Sequence, residues 1–173
     1  YEAEDYERAI EDFTESIKLK PDAKAYYKRG RAKEMIDDYQ GSKYDLIRSI
    51  ELQPNQWEVY YHLGRLQFYL LNDDYGALAS LEKYFDQTSW SSDYYDMWAS
   101  RMMAGALYNK DIYPKALKYI NNVMNDTEFE TVIDDDAKNQ FYGIRGKLNL
   151  ALSNFDAAKE DLEKAAKLDP KSA

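Results

Sequence analysis

The sequence has no cysteine and only one histidine in 173 residues. Without cysteine, disulfides, thiolate metal sites and cysteine nucleophiles are all excluded, but the compartment stays open because cytosolic and periplasmic proteins can both lack this residue. No apolar run approaches the ~18 residues of a membrane span, and the first residues are acidic, unlike those of a signal peptide. We therefore expect a cytoplasmic protein, with a periplasmic or other extracytoplasmic location as the alternative.

Basic residues are in deficit, with 23 Lys and Arg against 32 Asp and Glu and a formal net charge of -9. This balance disfavours a general phosphate-binding surface, so nucleic acid is not an expected partner. By contrast, 45% of the residues are hydrophobic and 15% are aromatic, including 17 Tyr. Such a composition argues against disorder, and the length suits one domain with a continuous core.

Glycine and proline recur at a fixed spacing. Gly30 and Gly64 are 64 - 30 = 34 residues apart, and Pro21 and Pro54 are 54 - 21 = 33 apart. Both distances fit a repeat of about 34 residues. From Gly64 to Gly146 the distance is 82 residues, which exceeds two periods, so insertions are expected between the later copies. We expect them at 86–96, which is rich in Ser and Asp, and at 125–136, which contains the run Asp134-Asp135-Asp136.

Each full copy combines a small residue on a first helix, a turn that contains Asp or Asn, and a small residue on a second helix. The first-helix slots are Gly30, Gly64, Ala104 and Gly146, and the second-helix slots are Ala9, Ser42, Ala77, Ala116 and Ala158. Small residues at these points let neighbouring helices approach closely. The prolines fit this scheme, because Pro114 falls in a first helical turn and the other three follow helix ends.

These residues closely resemble the tetratricopeptide repeat family, whose pattern pairs an aromatic residue, Leu-Gly and Tyr on one helix with Ala, Phe and Pro on the next. The resemblance implies an all-α, right-handed superhelical α-solenoid of antiparallel helix pairs, with four full repeats after an N-terminal half repeat. The predicted single domain spans 1–173, with a half repeat at 1–21 and repeats at 22–54, 55–88, 89–130 and 131–173. Because residues 1–21 supply a second helix without its first, we expect a piece of a longer polypeptide.

The resemblance also implies that the first helices line a concave groove for a peptide or a partner helix. Counting from the small slots places the following residues on this groove: Lys24, Tyr27, Lys28, Arg31, Tyr61, His62, Arg65, Tyr69, Trp98, Arg101, Tyr108 and Lys147. The same count adds further positions: Glu34, Met35, Glu58, Phe68, Met102, Gly105, Asn109, Gln140, Gly143, Ile144, Leu150 and Ala151. Six basic side chains against two acidic ones give the stripe a charge of about +4, which suits an acidic or carboxylate-ended partner. Ordinary solvated Lys and Arg on a helix face are the competing interpretation.

A carboxylate clamp of the kind used by chaperone adaptors matches poorly. Tyr27, His62 and Trp98 stand where Lys or Asn would be needed if the clamp began at the first complete repeat. The alternative to a peptide-binding module is a structural scaffold or oligomerisation module that acts through helix faces or edges.

Catalysis, a cofactor and a metal are not expected. His62 has no partner fixed by the sequence, so a groove contact or a packed ring is favoured over a general base. Asp37-Asp38 and Asp73-Asp74 precede second helices, where carboxylates cap free backbone donors. Asp134-Asp135-Asp136 lacks the alternating spacing and the Gly of a calcium loop, which favours a solvated acidic turn.

Overall fold

The structure, a computed structural model, describes residues 3–89 and 93–168. Its contacts divide the chain into two compact units, Tyr1–Ser89 and Trp90–Ala173, which we call the N-unit and the C-unit. Within the described ranges the regular structure is entirely helical. No helix there is both long enough and apolar enough to cross a membrane. The repeat boundaries given above remain a prediction.

The N-unit contains five helices in its described part: α1 (Ala3–Leu19), α2 (Ala23–Glu34), α3 (Tyr39–Leu52), α4 (Trp57–Tyr69) and α5 (Asp74–Gln87). Each helix packs on the next one in the chain. Because the connections are short, successive helices run antiparallel.

The C-unit contains α6 (Tyr94–Tyr108), α7 (Tyr113–Met124), the one-turn α8 (Phe129–Val132), α9 (Asp135–Ala151) and α10 (Phe155–Leu168). Helices α6 and α7 form one pair, α9 and α10 form the other, and α7 packs on α9.

Aspartate begins most of the longer helices. The side chains of Asp22, Asp38, Asp73, Asp93 and Asp134 each accept a hydrogen bond from the backbone N–H three residues ahead. Each carboxylate satisfies a donor that the helix cannot pair internally and interacts favourably with the helix dipole. The capping role expected for the Asp37-Asp38 and Asp73-Asp74 pairs is confirmed for their members Asp38 and Asp73.

The four helix pairs share one turn conformation. Asp37, Asn72, Asp111 and Ser153 have φ angles of 62°, 50°, 59° and 62°, and each lies just before a second helix. Asn and Asp are the non-glycine residues that adopt this left-handed conformation most readily. The recurrence of this turn shows that one structural unit is used four times.

Glycine allows the close helix crossings that were expected. A Cβ atom on Gly64 would lie 2.8 Å from Cγ of Leu81, which is fully buried. A Cβ on Gly30 would lie 3.2 Å from both Cβ of Asp45 and the backbone oxygen of Ser42. Any side chain at these positions would push the paired helices apart.

One expected insertion is more ordered than a loop. The segment 125–136 contains α8, and Phe129 of this turn is 1% exposed and packs 5.4 Å, centroid to centroid, from the ring of Phe141. The expected acidic turn is also part of a helix, because Asp134 caps α9 while Asp135 and Asp136 form its first turn. In the other expected insertion, α5 continues to Gln87 and α6 begins at Tyr94, while residues 90–92 lie outside the described ranges.

Candidate functional site

Three pairs of side chains link α2 to α4, and the members of each pair are 31 residues apart. The Tyr27 hydroxyl donates to Glu58 Oε1 at 3.0 Å, Arg31 Nη1 lies 2.6 Å from His62 Nε2, and Arg65 forms a close ion pair with Glu34. The constant separation shows that the two first helices lie side by side in register. We call the surface formed by Lys24, Tyr27, Lys28, Arg31, Glu34, Glu58, His62, Arg65 and Tyr69 the α2–α4 face.

His62 is a buried hydrogen-bond acceptor at the centre of this face. Its side chain is 6% exposed, and its ring packs 5.3 Å from the Tyr61 ring and 5.8 Å from the Tyr27 ring, between centroids. Burial, together with the charges of Arg31 and Arg65, lowers the pKa of His62 to about 3. The imidazole is therefore neutral near pH 7, and its unprotonated nitrogen can accept a hydrogen bond from Arg31.

Glu34 connects the two arginines. Its carboxylate forms the ion pair with Arg65 and lies 3.9 Å from Nε of Arg31, and its side chain is largely buried. In the neighbouring Tyr27–Glu58 pair, burial and, to a smaller extent, Glu58 raise the pKa of the half-buried Tyr27 hydroxyl to about 12. These contacts fix the guanidinium groups but also offset part of the positive charge counted from the sequence.

Lys24 and Lys28 supply the positive charge of this face that is not offset by an ion pair within the described residues. Both side chains are exposed, and neither forms an ion pair within the described residues. They are four residues apart on α2, so they lie on one side of the helix. Lys147 on α9 of the C-unit is also exposed and without an ion-pair partner in the described ranges.

Tyr61 was expected on the groove, but the structure buries it. Its ring is 5% exposed and packs against the Tyr84 ring of α5 at 5.8 Å. Tyr69 remains 40% exposed, with its ring 4.9 Å from that of Phe68. We therefore leave Tyr61 out of the proposed site and keep Tyr69.

The expected groove residues of the C-unit are partly packed. The Trp98 ring lies 5.9 Å from Tyr94 and 5.6 Å from Phe141, with Arg101 stacked 5.7 Å from its ring centroid. Tyr108 packs against the Tyr113 ring at 5.6 Å. Met102 and Gly105 of α6 were also expected on the groove, but the structure buries both, so they offer no binding surface.

A pocket of about 460 Å³ adjoins the α2–α4 face and is bordered by α1 and α2. Its lining from α1 consists of Tyr6, Ala9 and Phe13, and its lining from α2 consists of Tyr27, Lys28, Arg31, Ala32 and Met35. The α1 residues were not among the expected groove positions, because those positions lie only on first helices. The small slot at Ala9, which the repeat pattern does identify, was the signal that pointed to this surface.

Within the described residues, no group of three or more His, Asp or Glu side chains is arranged to hold a metal ion. The site therefore consists of cations, aromatic rings and buried hydrogen bonds. Such groups can bind and orient an acidic or aromatic segment.

Comparisons with known proteins agree with the repeat pattern. The family model described as Tetratricopeptide repeat matches residues 1–22 and 140–172. No curated protein matches the sequence. Among solved structures, the fold is similar to that of YrrB, described as a TPR protein with an unusual peptide-binding site, with a TM-score of 0.78, 21% identity, and coverage of 97% of this chain and 80% of YrrB.

Two MamA structures are similar as well. One has a TM-score of 0.77 and 17% identity, covering 96% of this chain and 84% of MamA. The other, residues 41 to the end of MamA from Desulfovibrio magneticus RS-1, has a TM-score of 0.76 and 19% identity, with coverage of 95% and 86%. At these identities the likeness establishes the fold, which is an all-α solenoid of helix pairs.

Proposed function

Because the chain is a tetratricopeptide repeat protein, we propose that it is a non-catalytic protein-interaction module that binds an acidic peptide or partner helix on the α2–α4 face. The observation that carries the proposal is the pair Lys24 and Lys28, exposed and without ion-pair partners in the described residues, on a chain whose net charge is -9. Two exposed lysines without ion-pair partners on a surface of an otherwise acidic chain favour a partner that carries carboxylates.

The groups beneath these lysines support binding by a pre-ordered surface. Arg31 is held by His62, and Arg65 is held by Glu34, so little side-chain freedom remains to be lost when a partner binds. Tyr69 adds an exposed aromatic ring on α4 for an apolar contact. YrrB, which shares the fold, is itself described as having a peptide-binding site.

A charge-reversal experiment tests this proposal. The probe is a synthetic peptide rich in Glu and Asp with one Phe and a free C-terminus, and its binding is measured by fluorescence anisotropy. We expect Lys24→Glu with Lys28→Glu to weaken binding at least ~tenfold, since two attractive charges become repulsive. The control is Lys159→Glu with Lys167→Glu on α10, which makes the same charge change on exposed lysines of the C-unit. Equal affinity in both double variants would reject the α2–α4 face as the binding site.

The alternative is a scaffold that associates through its second helices. Tyr44 and Ile47, three residues apart on α3, are 58% and 37% exposed and form an apolar patch. Sedimentation of the wild type and of Tyr44→Lys with Ile47→Lys tests this role. Concentration-dependent oligomers that this double variant abolishes would favour the scaffold.

A further inference from the structure

Helices α1, α3 and α10 carry the same sequence register. A small residue is followed by Asp three positions later, by a large apolar residue four positions later, and by Pro twelve positions later. The three copies are Ala9, Asp12, Phe13 and Pro21; Ser42, Asp45, Leu46 and Pro54; and Ala158, Asp161, Leu162 and Pro170. The register indicates that one face of each helix is built for the same kind of neighbour.

In α3, the preceding helix covers this face. Asp45 is fully buried and receives two hydrogen bonds from Arg29, at 2.8 Å from Nε and 2.7 Å from Nη2. Gly30, the next residue after Arg29, lies over Ser42 and Leu46. The contact thus consists of an Arg on the Asp and a Gly on the small residue.

In α10, the same arrangement recurs with different residues. Asp161 is 2% exposed and receives hydrogen bonds from Nε and Nη2 of Arg145 at 2.8 and 2.6 Å. Gly146 follows Arg145, and a Cβ atom on it would lie 2.8 Å from Cγ of Leu162. In both helix pairs, the helix that covers the Asp carries an Arg followed directly by Gly at the point of contact.

The two remaining pairs serve as internal controls. In α5 the position of the Asp is taken by Ser80, and the residue before Gly64 on the covering helix is Leu63. In α7 the same position is Tyr119, and Met103 precedes the small slot. Where the Asp is lost the Arg is lost as well, so the two residues act together.

In α1 the described residues cover this face only in part, with Phe13 packed against the cluster that Ile17, Ala25 and Tyr26 form. Asp12 is exposed and has no hydrogen-bond or ion-pair partner within the described residues. Ala9 and Phe13 are only partly buried, whereas their equivalents Ser42 and Leu46 are fully buried, and both line the 460 Å³ pocket. We call Ala9, Asp12 and Phe13 with this pocket the α1 seat.

We propose that the α1 seat is the docking surface for one amphipathic helix of a partner protein, which carries an Arg followed directly by Gly or Ala at its centre. The Arg pairs with Asp12, and the small residue lies over Ala9 and Phe13. Apolar side chains that flank the pair fill the pocket between Phe13 and Met35, which is 54% exposed. The inference rests on the proposed function in so far as both describe the chain as an interaction module.

A peptide copied from the chain itself tests this inference. The probe is a labelled synthetic peptide of residues 22–36, the segment that covers α3, and its binding to the whole chain is measured by anisotropy. We expect saturable binding, weakened about tenfold or more by Arg29→Ala in the peptide or by Asp12→Asn in the protein. The two changes together should cost little more than either alone, because they remove the same contact.

Two further variants control this experiment. Ala9→Trp fills the seat and should abolish binding, and it should still fold because Ala9 is not enclosed in the core. Glu11→Gln removes the same charge as Asp12→Asn from an exposed neighbour that is not part of the repeated register, and it should leave the affinity unchanged. Circular dichroism of each variant monitors the helical content.

Several outcomes would overturn the inference. The first is that the peptide does not bind. The second is that it binds but Asp12→Asn and Ala9→Trp leave its affinity unchanged, which would happen if the peptide replaced α2 in the α2–α3 pair. The third is that the chain self-associates and Ala9→Trp abolishes this self-association. The acidic probe separates the two proposals, because its binding should survive Asp12→Asn. If the acidic probe binds and the 22–36 peptide does not, this inference is rejected. If the 22–36 peptide binds and the acidic probe does not, the proposed function is rejected.

Discussion

Arg31 and His62 are linked across two repeats, with Nη1 of the arginine 2.6 Å from Nε2 of the buried imidazole. The contact requires a neutral ring, since a protonated imidazole would place two positive groups together with no acceptor between them. The lone histidine of the chain therefore acts as a positioning group for an arginine of the α2–α4 face.

The pKa of His62 is the first prediction. With one histidine in the chain, the imidazole Cε1–H resonance can be assigned without mutagenesis. We expect the resonance to keep its neutral position from pH 7 down to about pH 4.5, because burial and two arginines lower the pKa to about 3. An inflection near the ordinary value of 6.5 would show that the ring is solvated and would contradict the Arg31 contact.

The same group predicts an acid-dependent stability. The unfolded chain binds a proton at His62 below pH 6.5, whereas the folded chain does so only near pH 3, so His62 lowers stability as the pH falls between these values. The slope of the free energy of unfolding against pH should rise from ~0.7 kcal/mol per pH unit at pH 6.5 to ~1.4 kcal/mol per pH unit near pH 5, where the imidazole of the unfolded chain is almost fully protonated. Urea titrations between pH 5 and pH 6.5 of the wild type and His62→Gln measure it, since glutamine keeps an acceptor and removes the proton site. Parallel curves for the two proteins would refute the prediction.

Replacement by alanine should lower the stability at Gly64 in α4 and raise it at Gly143 in α9. In Gly64→Ala the new Cβ meets fully buried Leu81 at 2.8 Å, and we expect a loss of ~1–3 kcal/mol of stability. In Gly143→Ala the new Cβ has nothing within 4 Å, so the higher helix propensity of alanine should add ~0.5–1 kcal/mol. Thermal and urea unfolding check both, and a gain of stability in Gly64→Ala would contradict the close crossing of α4 and α5.

The two buried arginine–aspartate pairs should differ in sensitivity. We expect Arg145→Ala to cost ~3 kcal/mol, because among the described residues Asp161 would keep only the hydrogen bond from the amide of Asn149 at 3.3 Å. Arg29→Ala should cost less, since Asp45 keeps Lys33 at 2.9 Å. Lys18→Ala removes an exposed pair with Glu15 and should change the free energy of unfolding by less than ~0.5 kcal/mol. Equal free energies of unfolding for the three variants would show that the buried pairs stabilise the fold no more than the exposed pair does.

Much of the fold could be predicted from the sequence, because its signals are local or periodic. The spacing of Gly30 and Gly64 marks helix crossings, and an Asp before an amphipathic stretch marks a helix start. The order within 125–136 could not be predicted in this way. It depends on the burial of Phe129 against Phe141, a contact that has no repeat to reveal it.

The candidate site was predictable only in part. Positions 58, 62, 65 and 69 form one helical stripe, whereas Tyr61 lies one residue away from it and turns toward α5. The pairing of Arg65 with Glu34 depends on how two repeats align in space, which the residue types alone do not specify. The sequence therefore identified the helices of the site, and the structure separated its exposed charges from its packed ones.

Location of a bound acidic peptide on the chain tests the central claim most directly. We would follow backbone amide resonances during titration with the acidic probe, at low salt and at about 0.5 M salt, where charges are strongly screened. The account predicts shifts concentrated in α2 and α4 around Lys24, Lys28 and Tyr69, and their disappearance at high salt. Shifts confined to α3, α5 or the C-unit, or shifts unchanged by salt, would contradict it.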